Sequence, residues 1–99
     1  MVKRKIIWTR KANEERKEIL DYWIKRNQSR AYSVKLDKLL RNTLNLAALY
    51  PDTGRKTSFE NVRVTIVKEY FIFYEISEKE IVILTIWDVR RDASTLEIK

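Results

Sequence analysis

The apolar positions of this chain change period twice, and the changes divide it into elements. From Lys3 to Trp8 the pattern alternates, with Ile6 and Trp8 on one face and Ile7 on the other, which predicts a short strand. Thr9 then offers an N-cap, and from Arg10 to about Asn27 the apolar residues Ala12, Ile19, Leu20, Trp23 and Ile24 fall along one stripe of an amphipathic helix. Asn27, Gln28 and Ser29 form a polar break. Ser29 is placed to cap a second helix running to about Tyr50, with a stripe of Tyr32, Leu36, Leu39, Leu40, Thr43, Leu46, Ala47 and Tyr50. So short a break predicts an antiparallel helical hairpin, whose stripes need a common surface. Pro51, Asp52 and Gly54 end the second helix and open a loop through about Phe59, where Gly54 permits a left-handed turn.

Beyond the loop the period falls to two. Val62, Val64 and Ile66 alternate with Arg63, Thr65 and Val67, and Tyr70, Ile72, Tyr74 and Ile76 alternate with Phe71, Phe73 and Glu75. Residues 77–80 make a turn, and Ile81 to Trp87 is apolar on both faces, as in a strand central to its sheet. The expected fold is α+β: an N-terminal strand, an αα-hairpin, then a three-stranded antiparallel meander. The first strand pairs beyond the meander, and the helices pack on one face of a small, mainly antiparallel sheet. If they cover the Tyr70, Ile72, Tyr74 face, Phe71 and Phe73 lie on the open face beside Glu75, and an exposed aromatic pair there would mark a partner site.

Composition narrows the function classes. A chain of 99 residues with one Gly and one Pro is expected to be one domain with no low-complexity tract. It has no cysteine and no histidine, which removes disulfides, thiolate sites and the usual zinc ligand sets; no metal or cofactor is expected. Ile6, Ile7 and Trp8 are the only continuous apolar run near the start, far short of the roughly 20 residues that span a bilayer, so the expected location is the cytosol, away from membranes. The net charge is +7, and its placement is uneven. Residues 1–58 hold 15 Lys and Arg against 6 Asp and Glu, whereas residues 59–99 hold 6 against 8. A basic first half suits nucleic acid, a ribosome or an acidic protein partner.

Six motifs, in this order and at these intervals, resemble the RelE/ParE superfamily of type II toxin-antitoxin systems across residues 3–96: IIWTRKA, ILDYW of the first helix, the YPDTG loop, VR of the second strand, YFIFYEI of the third, and IWDVRRD after the fourth. The resemblance implies a small bacterial toxin, of the plasmid-stabilisation kind, that inhibits growth and is neutralised by a cognate acidic antitoxin. It also implies one of two targets, because RelE-like members cleave mRNA on the ribosome and ParE-like members poison DNA gyrase.

RNA cleavage through the 2′-hydroxyl needs a base, cations for the phosphorane and an acid for the leaving oxygen. At the positions where the nuclease branch keeps these groups, this chain has Arg63 and Thr65 on the second strand, Phe71 on the third, Arg90 after the fourth, and Leu96 in place of a tyrosine. Arg63 and Arg90 are therefore the remaining catalytic candidates, and an always-protonated guanidinium stabilises charge but does not shuttle protons. Glu75, Asp88 or Asp92 would have to act as base. The WDVRRD ending resembles the ParE-like branch more closely. That favours a toxin that binds an essential target, with gyrase implied; the alternatives are a ribosome-dependent endoribonuclease and a non-toxic antitoxin-binding module.

The expected target or RNA contacts are Arg63, Phe71, Phe73, Arg90 and Arg91, and the expected antitoxin contacts are Arg16, Tyr22, Trp23 and Arg41. A homodimer or a toxin-antitoxin hetero-oligomer would use the same hairpin surface. Each has a plainer reading: Arg63 as a solvent-facing sheet residue, Arg90 and Arg91 as a solvated strand end, and the charges of residues 10–18 as helix-surface pairs.

Overall fold

A computed structural model of the chain describes residues 3–98. The elements run β1 (Lys5–Trp8), α1 (Arg10–Asn27), α2 (Ala31–Leu49), a 3₁₀ turn (Pro51–Thr53), β2 (Arg55–Lys56), β3 (Val62–Val67), β4 (Tyr70–Ile76), β5 (Glu80–Asp88) and a last 3₁₀ turn (Ala93–Thr95). The sheet order is β1-β5-β4-β3-β2. β1 lies parallel to β5 and every other pair is antiparallel, so the strand that is apolar on both faces is indeed interior. No helix among the described residues is long and apolar enough to cross a membrane.

Local chemistry explains the helix bounds. Thr9 accepts the Ala12 N–H and donates to the Ile83 carbonyl, so one hydroxyl caps α1 and fastens it to β5. Gln28 closes α1 in the left-handed conformation. α2 starts two residues after Ser29, whose hydroxyl accepts the Ala31 N–H. The buried face of α2 is Ser33, Leu36, Leu40, Leu44, Ala47 and Ala48, and the Ser33 hydroxyl donates to the Leu20 carbonyl across the hairpin. Leu46 and Tyr50, placed on the stripe by sequence, are instead half-exposed. Leu46 stands two residues from both Leu44 and Ala48, about 200° around the helix from each, so it cannot share their face.

Two clusters fill the fold. The larger lies between helices and sheet and contains Leu36, Leu40, Leu44, Tyr70, Ile72, Tyr74, Ile81, Ile83 and Ile86. The smaller, on the opposite face, holds Val62, Phe73 and Trp87, with Val64, Phe71, Leu84, Leu96 and Ile98 against it. Leu96 and Ile98 alternate around Glu97, whose carbonyl accepts the Lys11 ammonium at 2.7 Å, so the C-terminal segment covers this face. The expected exposed aromatic pair is therefore corrected: Phe73 is buried and Phe71 half-buried, because the tail supplies a second layer.

The 51–59 loop also departs from expectation, since it contains β2. Gly54 has φ −76° and needs no left-handed freedom. A Cβ there would collide with the Tyr74 hydroxyl oxygen. Glycine is required by that close approach.

Candidate functional site

The two candidate catalytic arginines belong to opposite ends of the sheet. Val62 and Val64 pack on the tail side, so alternation turns Arg63 toward the helix side, on the rung it shares with Tyr74. There it donates to the carbonyls of Asp52 (3.2 Å) and Gly54 (2.8 Å) and pairs with the Asp52 carboxylate at 3.2 Å. The fully buried Tyr74 completes the arrangement, donating to the Pro51 carbonyl (2.8 Å) and accepting the Gly54 N–H (3.1 Å). Burial raises the Tyr74 phenol above its ordinary value despite that hydrogen bond. Arg63 is thus a fastener for the loop after α2, only 19% exposed.

Arg90 follows β5, past the rung where Asp88 faces Tyr70. Because Val67 shares the Tyr70 rung on β3, the four residues from Arg63 to Val67 separate the backbones of the two arginines by about 13 Å or more along the strands. Each guanidinium is held by its own carboxylate, Arg63 by Asp52 and Arg90 by Asp88. Arg90 forks onto Asp88, with its backbone N–H at 2.9 Å, Nε at 3.0 Å and Nη2 at 2.7 Å, and Nη2 also lies 3.4 Å from Glu69. The Arg90 hydrogen bonds hold the Asp88 carboxyl below the usual range, and Asp88 raises the guanidinium in turn. Asp92 is also held low, by the Ser94 N–H it accepts at 3.0 Å. A carboxylate with a lowered pKa is a weaker base, so neither is tuned to deprotonate a hydroxyl. Glu75 lies on the other face, opposite Val62 and Val82. Leu96 packs in the tail cluster.

Around Arg90 a groove of about 410 Å³ opens between α1 and the ends of β4 and β5. Ile19, Tyr22, Tyr70 and Ile86 form its apolar walls, and Glu15, Glu18, Asp88, Arg90 and Arg91 its charged rim. Arg91 does not point into solvent alone: its guanidinium lies 4.4 Å from the centre of the Trp87 ring. Tyr70 reaches the groove wall with its hydroxyl accepting Trp23 Nε1 at 2.8 Å, and burial raises its pKa.

A bulge in β5 shapes this groove. Phe73 pairs with Thr85 but Tyr74 pairs with Ile83, so Leu84 is an extra residue in β5. One oxygen of Glu15 accepts both the Thr85 hydroxyl (2.8 Å) and the Ile86 N–H (3.1 Å), holding the bulged strand to α1. In the sequence Glu15 reads as one more surface charge of α1. Its signal was its spacing, three residues after Ala12 and four before Ile19, on the buried stripe itself.

The four expected antitoxin contacts divide. Arg16 is mostly covered, bonded to Asp37 at 2.9–3.0 Å and set 5.3 Å from the Trp8 ring centre. Trp23 is packed edge-on between Tyr22 and Tyr32. Arg41 shares Asp37 with Arg16 at 3.0 Å but leaves most of its side chain in solvent. Tyr22 is 47% exposed. Arg41 and Tyr22 are therefore the two with surface to offer. Among the described residues no group of three or more acidic, histidine or cysteine side chains is placed to hold a metal ion.

Comparison with known proteins gives a consistent answer. A family model described as the ParE toxin of the type II toxin-antitoxin system, parDE, matches residues 6–93. No curated protein matches. Among solved structures, a chain of the chromosomal ParDE TA system from P. aeruginosa superposes with a TM-score of 0.74 at 21% identity, covering 88% of this chain and 97% of that one. At that identity the likeness is one of fold.

Proposed function

The chain belongs to the ParE toxin family of type II toxin-antitoxin systems, and from that premise we propose that it inhibits growth by gripping an essential target, DNA gyrase, and not by cutting RNA. The observation that carries this reading is the condition of the two arginines. One is committed to the loop after α2 and the other to Asp88, on backbone positions roughly 13 Å or more apart along the strands. Phosphorane stabilisation needs cations converging on one group beside a competent base. The groove rim at Arg90 and Arg91, beside Tyr22 and Tyr70, suits recognition of a partner surface instead. Gyrase is the target that membership of the ParE branch implies.

The neutralising partner on this reading is an acidic antitoxin encoded beside the toxin. The basic excess of residues 1–58 and the exposed Tyr22 and Arg41 support it. Three measurements test the proposal. The chain is induced without its neighbouring gene, cellular mRNA is mapped by primer extension, and purified protein is incubated with gyrase and supercoiled DNA. Arrested growth, intact mRNA and gyrase-linked DNA breaks are expected. Codon-phased mRNA cuts would refute the proposal in favour of the endonuclease, and normal growth at confirmed expression would leave only a binding module.

A further inference from the structure

The positive charge of the chain gathers on the second half of the hairpin. Residues 22–50 carry six Lys and Arg against one acid, Asp37, which accounts for most of the net +7. Both Asp37 oxygens are already engaged, one by Arg16 and the other by Arg41. α2 holds no other carboxylate. At about 100° per residue, Lys38, Arg41 and Asn45 fall within an arc of about 60° on the side of α2 away from the buried Leu36 and Leu40, and all three are exposed. Asn45 draws in a further cation from the start of the chain: its Oδ1 accepts the Lys3 ammonium at 2.9 Å, so its amide NH₂ remains to donate. The Arg41 guanidinium is oriented by Asp37 at 3.0 Å and still keeps 65% of its side chain in solvent.

Lys38, Arg41, Asn45 and Lys3 thus form a stripe of hydrogen-bond donors. From Lys38 to Asn45 it runs about 10 Å, the length of roughly three base steps along one DNA strand. Beside Arg41 and Asn45 lies a groove of about 150 Å³ floored by Ile6, Trp8 and Leu44. A nucleic-acid backbone alternates anionic phosphates with sugars whose C–H groups are apolar, and a cationic rim over a small apolar floor matches that alternation. An acidic peptide would need apolar anchors to bind firmly. Val34 is the one apolar residue in the arc.

We infer that this stripe binds the sugar-phosphate backbone of double-stranded DNA without reading its sequence. Lys3, Lys38 and Arg41 meet successive phosphates, Asn45 donates to the same strand, and a deoxyribose rests over Ile6, Trp8 and Leu44. On a gyrase poison the DNA so held is the segment that gyrase is cleaving. That last step rests on the proposed target; the binding itself does not.

The test is fluorescence anisotropy of short labelled DNA duplexes of two unrelated sequences, titrated with the full chain and no gyrase. Both duplexes are expected to bind alike, and raising the salt from about 50 to about 200 mM is expected to weaken binding about 40-fold, as three phosphate contacts require. Lys38→Gln with Arg41→Gln should weaken low-salt binding at least about tenfold and cut the salt effect to about fourfold. The same pair of changes at the exposed Arg55 and Lys56, off the stripe, should alter binding less than about twofold. Lys3→Gln with Lys38→Gln leaves the Asp37 pairs intact and should reproduce the loss with an unchanged unfolding midpoint. No binding at low salt, an equal loss in the Arg55 and Lys56 variant, or strong preference for one sequence would overturn the inference. So would displacement of the DNA by polyglutamate at equal charge, which would assign the stripe to an acidic protein, or tighter binding of single-stranded RNA. With no gyrase present, failure here leaves the gyrase reading standing, whereas DNA binding without gyrase-linked breaks would refute that reading alone.

Discussion

At one end of the sheet Arg63 is 19% exposed and spends its donors on two main-chain carbonyls and Asp52. At the other end Arg90 is 56% exposed and carries its partner, Asp88, with it from two residues away. The first arginine joins segments eleven and nine residues apart in sequence and so shapes the chain. The second forms a local fork that leaves its outer edge facing the groove. Family position made the two equivalent candidates. Their surroundings make one a fastener and the other a presented surface.

The largest effect is expected where the Arg63 end is overfilled. Gly54→Ala drives a methyl into the Tyr74 hydroxyl, on a ring that is fully buried and cannot swing aside; destabilisation of about 2–3 kcal/mol is expected in chemical denaturation. Tyr74→Phe leaves the Gly54 N–H without its acceptor at a cost of about 1–3 kcal/mol. Unchanged stability in both variants would dissolve the contrast between the two ends.

Glu15 refines the comparison at the groove. Glu15→Ala strands the Thr85 hydroxyl and the Ile86 N–H and is expected to cost about 1–3 kcal/mol. Because a single oxygen accepts both bonds, Glu15→Gln is expected to recover most of that loss. Equal losses in the two variants would mean that the charge, and not the acceptor, holds the bulge.

A smaller effect is expected from pH. Asp88 and Asp92 have lowered folded-state pKa values, so their stabilisation is present above the ordinary carboxylate range and lost as pH falls through the folded values. Tyr70 and Tyr74 are raised, so their contribution is complete below about pH 10 and is lost as pH rises through the folded values. Denaturation midpoints across pH should therefore decline at both extremes, and Asp88→Asn should flatten the acid limb. The smallest stability change is expected for Arg90→Ala, which removes an exposed fork and should leave the unfolding midpoint close to wild type.

The repeating elements were legible from the sequence because their periods are strong. α1 occupies Arg10–Asn27 as its stripe and the Thr9 cap imply, and β5 is interior as its two apolar faces require. What escaped was set by contacts between distant segments. The two residues of β2 are too few to show an alternation. Nothing local to Phe73 announces that Leu96 and Ile98 will cover it, although their own spacing hints at a strand-like strap. Gly54 reads as a turn residue until Tyr74 is placed beside it. Arg63, Glu15 and Arg16 look like surface charges because sequence records the charge and not the partner that neutralises it.

The most direct test compares Arg63→Met and Arg90→Ala in one assay, gyrase-dependent DNA cleavage by purified protein, with unfolding midpoints measured on the same samples. The account predicts that Arg63→Met lowers stability yet supports cleavage at temperatures where it remains folded, while Arg90→Ala keeps its midpoint and loses cleavage. Loss of activity in folded Arg63→Met, with Arg90→Ala fully active, would contradict it.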